Sequence, residues 1–249
     1  MTAIVGILCG DGVVVGTDGS ATFAQGQFRT IEQPTEKLHI IGDRIILAGT
    51  GQVGFDQRFR AIVNESWTTD KLFQREYLDV AKTLTRRFIE DLKMTYANIG
   101  QYGALMAFDG AGPRLCEFSL QDFQPEFKNE RIWYCSMGSA QAITDPFLAF
   151  IREVFWQKDR PSVEDAIFAA TWTLEHAVAL NPGGVNEPIG VAVLERQKKG
   201  HLSARVLGPQ ELDQHRQHVQ AAKESLGDFR REYEPDKAQD VPRSGNGAH

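Results

Sequence analysis

Twice within its first 51 residues the chain runs through a pair of short β-type segments joined by a glycine–aspartate turn. TAIVGIL (2–8) and VVVGT (13–17) flank Cys9-Gly10-Asp11-Gly12, and KLHII (37–41) and RIILAG (44–49) flank Gly42-Asp43. Gly and Asp tolerate the backbone of a tight turn, and a turn this short returns the chain antiparallel to itself. Parallel neighbours would need a crossover of about a dozen residues, and neither pair has room for one. The N-terminal quarter is therefore predicted to be two antiparallel hairpins.

Two amphipathic stretches follow. Residues 52–67 place Val53, Phe59, Ile62, Val63 and Trp67 at mixed steps of three and four, and residues 76–95 set Leu78, Ala81, Leu84, Phe88, Ile89 and Leu92 on one face. Strand-like runs return at 103–108, 114–119 and 131–136, and helical patterns at 140–157 and 162–180. The last of these opens with Pro161-Ser162-Val163-Glu164-Asp165, a capping signature with acid in the first turn. Runs at 188–194 and 201–207 complete the series. Hairpins, two helices, strands, two helices, strands is an order satisfied by an α+β, four-layer αββα sandwich, two antiparallel sheets with a helix pair outside each. That domain is expected over 2–208. A polar helical extension over 209–234 follows, its pattern favouring solvation over docking, and then a disordered tail over 235–249.

The formal net charge of -6 argues against a nucleic-acid surface, which needs clustered Lys and Arg. No apolar run approaches the ~18 residues of a membrane helix, and no secretion signal is evident, so a cytoplasmic location is expected. Cys9, Cys116 and Cys135 lie among apolar neighbours and read as small buried thiols. The histidines show no ligand spacing. His215 and His218, on the polar tail helix, read as surface residues, and no metal or other cofactor is expected.

Chemistry concentrates at the front of the first run. Thr2 stands directly behind Met1, and removal of Met1 is expected to be the whole of its maturation. Thr2 then owns a free α-amine beside its hydroxyl. A hydroxyl is a weak nucleophile until a base is within hydrogen-bond reach, and an α-amine with an ordinary pKa of about 7.7–8.0 can be that base. A neighbouring ammonium lowers this value and keeps the amine neutral. The arrangement calls for a lysine near Thr2, an acid to hold it, and N–H donors for an oxyanion. Asp18 closes the first hairpin, Lys37 opens the second, and RIILAG runs into TGQVGFDQ, a strand-to-helix corner that aims N–H groups at one point. Taken singly, Asp18 and Lys37 read as a sheet-edge ion pair. Gly49-Thr50-Gly51-Gln52-Val53-Gly54 also spells G-x-G-x-x-G, but hairpins rather than a βαβ unit precede it, against a dinucleotide site.

Together, Thr2, GTDGSAT, EKLHII and LAGTG resemble the proteasome β-type subunits, threonine peptidases of the N-terminal-nucleophile hydrolase group that include ring-forming bacterial relatives. The resemblance spans 2–207, is strongest over the first 55 residues, and implies the same αββα fold. It implies Thr2 as nucleophile, Asp18 as the acid and Lys37 as the lysine, with four extra residues in the loop between them. Gly51, fourteen residues beyond Lys37, falls on the oxyanion glycine. Met137-Gly138-Ser139-Ala140 resembles the family's Gly-Ser motif, whose serine touches the terminal amine; alone, Ser139 would read as the N-cap of 140–157. Ala21 and Thr22 fall on the strand that presents backbone to an extended peptide. Gly49 and Val53 fall on the substrate side, with a roomy first specificity pocket at Gly49.

Two departures stand out. The family's Arg-Asp-x-x-Ser-Gly is replaced by ALNPGGVNEP, so the Asp position holds Leu180 or Asn181, of which Asn181 can accept a hydrogen bond, and the Ser becomes glycine. Ser20 stands where the family has an arginine. The resemblance implies hydrolysis of peptides or unfolded protein inside a homo-oligomeric particle of stacked rings, with an ATPase unfoldase as partner. The departures keep two alternatives open: a non-peptidolytic ring or scaffold protein of the same fold, and a small-amide hydrolase of the wider group.

Overall fold

Both predicted hairpins form, and each founds its own sheet, in the computed structural model, which describes residues 2–25, 28–157, 159–180, 184–197 and 200–232. β1 (Ile4–Leu8) pairs antiparallel with β2 (Gly12–Thr17). A separate two-stranded ribbon comes next, β3 (Ser20–Gln25) with β4 (Phe28–Pro34), bent by a bulge at Phe23/Ala24. The second hairpin is β5 (Leu38–Ile41) with β6 (Ile45–Gly51). The chain continues through α1 (Val53–Thr68), α2 (Tyr77–Met94), β7 (Tyr102–Asp109), β8 (Pro113–Phe118), β9 (Pro125–Phe127) and β10 (Tyr134–Met137). It ends through α3 (Gln141–Phe155), α4 (Val163–Leu180), β11 (Gly190–Arg196), β12 (Leu202–Val206) and α5 (Pro209–Glu232).

One sheet has the order β10-β1-β2-β11-β12 and the other β5-β6-β7-β8-β9, every pairing antiparallel. Helices α3 and α4 cover the first sheet, α1 and α2 cover the second, and the inner faces meet, which is the αββα sandwich. β1 and β2 are buried along their whole length because they are covered on both faces, so they read as unbroken apolar runs. Between the sheets, Ile4, Leu8 and Val15 share one core with Ile46, Leu105 and Leu115, and a Cβ on Gly6 would stand 2.9 Å from Leu105. On the outer face of the second sheet the Phe59 ring packs against Phe88, Phe118 and Phe123 at centroid distances of 5.3, 5.2 and 4.9 Å, the edge-on geometry aromatic quadrupoles prefer.

Several elements differ from expectation. Polar, mixed sequence hid β4, and β9 is too short for a pattern to register. Val53 was placed on the apolar face of its helix; it stands 45% exposed, and Phe55 takes the buried position with Phe59 and Val63. The capping signature before α4 forms as a reciprocal pair: Asp165 N–H donates to Ser162 Oγ at 3.1 Å, and Ser162 N–H donates to Asp165 Oδ2 at 3.4 Å. The polar helix α5 is docked rather than solvated. It packs on α4 and buries Leu212, His215 and Val219, so His215 is not a surface residue. Arg216 on the same helix reaches Glu187 at 2.9 Å and Glu175 at 3.6 Å, which is how a mostly charged helix is held on a domain face. The three cysteines are free and buried. Among the described residues no helix is long and apolar enough to cross a membrane. The tail expected over 235–249 lies outside the described residues.

Candidate active site

The register Ile4↔Thr17 sets the residue before β1 beside the residue after β2. Asp18 N–H donates to the Ala3 carbonyl at 3.1 Å, and Ala3 N–H donates back to Asp18 Oδ1 at 2.9 Å. A fully buried carboxylate is thereby fixed one residue from Thr2. Lys37, at the mouth of β5, reaches across from the other sheet. Its Nζ lies 2.6 Å from Asp18 Oδ1 and 3.5 Å from Thr2 Oγ1, with the side chain only 8% exposed. Burial lowers the Lys37 pKa from its ordinary value because it disfavours the charged form, and the Asp18 carboxylate acts in the opposite direction.

On the other flank β10 pairs with β1 at Ile4↔Met137 and hands the chain to Gly138. Thr2 N–H donates to Ser139 Oγ at 3.0 Å, and the Thr2 carbonyl accepts from Ala140 N–H at 3.2 Å. Gly138 has φ +97°, and a Cβ there would stand 2.3 Å from the Thr2 carbonyl oxygen, so only glycine lets the two segments approach. Ser139 does not cap α3. The N-cap is Ala140, without a side-chain cap bond, and the serine hydroxyl is turned to Thr2 instead.

Thr2 and Lys37 open onto a cleft of about 630 Å³, also lined by Ala21, Gly49, Gly51 and Val53. Gly51 ends β6 at φ +113°, where a Cβ would meet the Gln101 carbonyl oxygen at 2.1 Å, and α1 begins two residues later at the cleft wall. Thr22 lies on β3 opposite Glu32. Asn181 lies outside the described residues; its neighbour Leu180 ends α4 at 56% exposure. The G-x-G-x-x-G run follows a strand paired antiparallel on both sides, so no βαβ unit surrounds it.

Gly49 does not make the cleft roomy. A Cβ there would stand 2.2 Å from Asp56 Oδ1 and 2.6 Å from the Tyr102 ring, so the space is already filled by a polar floor. Tyr102 O–H donates to Asp56 Oδ1 at 2.9 Å, and burial, then the Asp56 carboxylate, hold the phenol well above its ordinary pKa, as a neutral donor. His39 Nε2 lies 3.4 Å from Asp56 Oδ2, and Arg60 Nη1 lies 2.9 Å from His39 Nδ1. None of these four residues was singled out from the sequence. The available signal was the run Val53, Asp56, Gln57 and Arg60, spaced along one face of α1 and all lining the cleft.

A sandwich of this topology, with a threonine at the mouth of β1 facing a lysine–aspartate pair, defines a proteasome-type subunit. The model of the proteasome subunit family matches residues 2–184, and the chain belongs to that family. No curated protein matches the sequence. Among solved structures it is similar to Anbu (ancestral beta-subunit) from Yersinia bercovieri, with 16% identity, a TM-score of 0.66, and 94% of this chain and 99% of that chain covered. It is also similar to an Anbu (Gly-1) mutant from Hyphomicrobium sp. strain MC1, with 14% identity, a TM-score of 0.71 and coverage of 97% and 100%. A helical assembly of the Anbu complex from Pseudomonas aeruginosa has 14% identity, a TM-score of 0.70 and coverage of 96% and 100%. These likenesses establish the fold.

Proposed function

We propose that this chain is a threonine-type N-terminal-nucleophile hydrolase that cleaves peptide bonds with Thr2 once Met1 is removed, and that it works as a self-associated ring. The carrying observation is Lys37, whose ammonium lies 3.5 Å from Thr2 Oγ1 while Asp18 holds it at 2.6 Å. Removal of Met1 turns the Thr2 nitrogen from an amide into an amine with a lone pair. Thr2 Oγ1 then attacks the substrate carbonyl carbon as its proton passes to that amine. Lys37 donates to the oxygen as it becomes nucleophilic, and its positive charge keeps the amine neutral beforehand. The Gly51 N–H receives the oxyanion.

Collapse of the tetrahedral adduct breaks the C–N bond. The Thr2 ammonium returns the proton to the departing amine and leaves an ester on Oγ1. Water, deprotonated by the same amine, hydrolyses the ester and regenerates Thr2. Ser139 orients the nitrogen throughout, and Asn181 is the residue offered as a further acceptor. Ala21 and Thr22 supply backbone to an extended substrate. Self-association is favoured by the kinship with Anbu, one member of which is described as a helical assembly.

Glycine in place of the family's serine before the late strand favours a second reading, a ring protein of the same fold without peptidase activity. Incubating Met1-free protein with a threonine-directed β-lactone, then weighing it intact and mapping peptides, separates the two. The peptidase reading requires an acyl adduct on Thr2 that is absent from Thr2→Ala. A Met1-free chain that gains no adduct is a scaffold. Turnover of peptides against small amides then divides the two hydrolase alternatives.

A further inference from the structure

The floor of the cleft is a chain of polar contacts, and one member of it is left short of a partner. Asp56 is engaged on both oxygens: Oδ1 accepts from Tyr102 O–H at 2.9 Å, and Oδ2 faces His39 Nε2 at 3.4 Å. Arg60 Nη1 lies 2.9 Å from His39 Nδ1 and 3.2 Å from Nε2. An Nη1 this close to both ring nitrogens at once lies out of the ring plane, over the imidazole face, while Nε2 faces Asp56. A guanidinium carries five N–H donors in a planar fork that matches a carboxylate. Arg60 turns them to the His39 ring, and among the described residues it has no carboxylate partner. It is half-buried, and it lines the same cleft as Thr2.

We propose that Arg60, held by His39, selects substrates with an acidic side chain, Asp or Glu, on the residue whose carbonyl Thr2 attacks. This rests on the peptidase reading above and gives that activity its substrate class. His39 is two residues on from Lys37, both side chains line the cleft, and the Arg60 guanidinium that His39 meets lines it with Thr2. A carboxylate arriving there gains a two-pronged, charge-assisted contact. A lysine or arginine side chain would instead meet Arg60 as a like charge and would find Asp56 already occupied by Tyr102 and His39. A leucine would leave Arg60 desolvated and unpaired. Glu36 also lines the cleft but is exposed, so water screens its charge.

The test uses fluorogenic peptides identical except for Glu, Gln, Lys or Leu at that residue, with the wild type, Arg60→Gln and Arg60→Glu. The wild type is expected to favour Glu over Gln and Lys by about tenfold or more in kcat/KM. Arg60→Gln should bring Glu and Gln to parity, and Arg60→Glu should move the preference to Lys. A wild type that favours Lys or Leu, or an order unmoved in Arg60→Gln, overturns the proposal and leaves the peptidase standing. Calorimetric binding of the matching peptide amides to Thr2→Ala supplies a readout that needs no turnover. If nothing is cleaved, the peptidase reading fails, and this measurement decides: the Glu amide binding about tenfold tighter than the Gln amide sustains selection by Arg60, and equal affinity ends it.

Discussion

Replacing Lys37 by methionine keeps the apolar stem and removes the ammonium. Asp18, completely buried, is then left with the Ala3 N–H at 2.9 Å and the Ser20 N–H at 3.4 Å. Two neutral donors, one of them long, do not replace a charge-assisted contact of 2.6 Å. Removing one partner of a buried ion pair costs about 3–5 kcal/mol. The residual exposure of Lys37 argues for the lower end, about 3 kcal/mol. Removing the second charge as well, in Lys37→Met/Asp18→Asn, should restore at least about 1 kcal/mol of that loss through the coupling of a contacting pair.

Urea unfolding at one fixed protein concentration, followed by the fluorescence of buried Trp133 and Trp172, measures both quantities. The pH dependence has a definite sign. Burial lowers the Lys37 pKa from 10.5, so between the lowered value and 10.5 the unfolded chain holds a proton that the folded chain has shed. That increment of stability is fully present above 10.5 and is lost as pH falls through the folded value. The stability gap between wild type and Lys37→Met should therefore widen as pH rises towards 10.5. A loss below about 0.5 kcal/mol at neutral pH, with no coupling to Asp18, would refute the buried pair.

Gly138→Ala places a methyl 2.3 Å from the Thr2 carbonyl oxygen at a backbone φ of +97°; it should cost about 1–3 kcal/mol in urea unfolding. By shifting Thr2 it should also slow β-lactone adduct formation by about a hundredfold, a rate followed by intact mass. Val219→Asp buries a charge where α5 meets the domain and should destabilise by about 3 kcal/mol in thermal or urea unfolding. A change within about 0.5 kcal/mol would mean that α5 is solvated after all.

The sandwich was legible because its decisive signals are local. A Gly-Asp turn between two apolar runs announces a hairpin, and the order of hairpins and helix pairs then leaves few ways to cover two sheets. Thr2, Asp18 and Lys37 were legible for a related reason: each sits at the end of a strand, where register alone decides what it meets. Ser139 was ambiguous, since the same serine before a helix suits a cap as well as a contact to Thr2, and only the crossing of β10 beside β1 decides. The floor of the cleft was hidden because His39, Asp56, Arg60 and Tyr102 come from β5, α1 and β7 and meet only after the second sheet is covered. Gly49 misled for the same reason, since an absent side chain says nothing about which distant residue fills its place. The docking of α5 could have been read from Leu212, His215, Val219 and Ala222, a stripe at helical spacing obscured by the charges around it.

Whether the attacking group uses its own nitrogen as the base is decided by labelling one protein in two forms, with Met1 retained and with Met1 removed, under the same β-lactone. Esterification of Thr2 confined to the shortened form, and fading as pH falls and the freed amine takes up a proton, is the predicted result. Equal labelling of the two forms would contradict it, because an amide nitrogen has no basic lone pair to accept the hydroxyl proton.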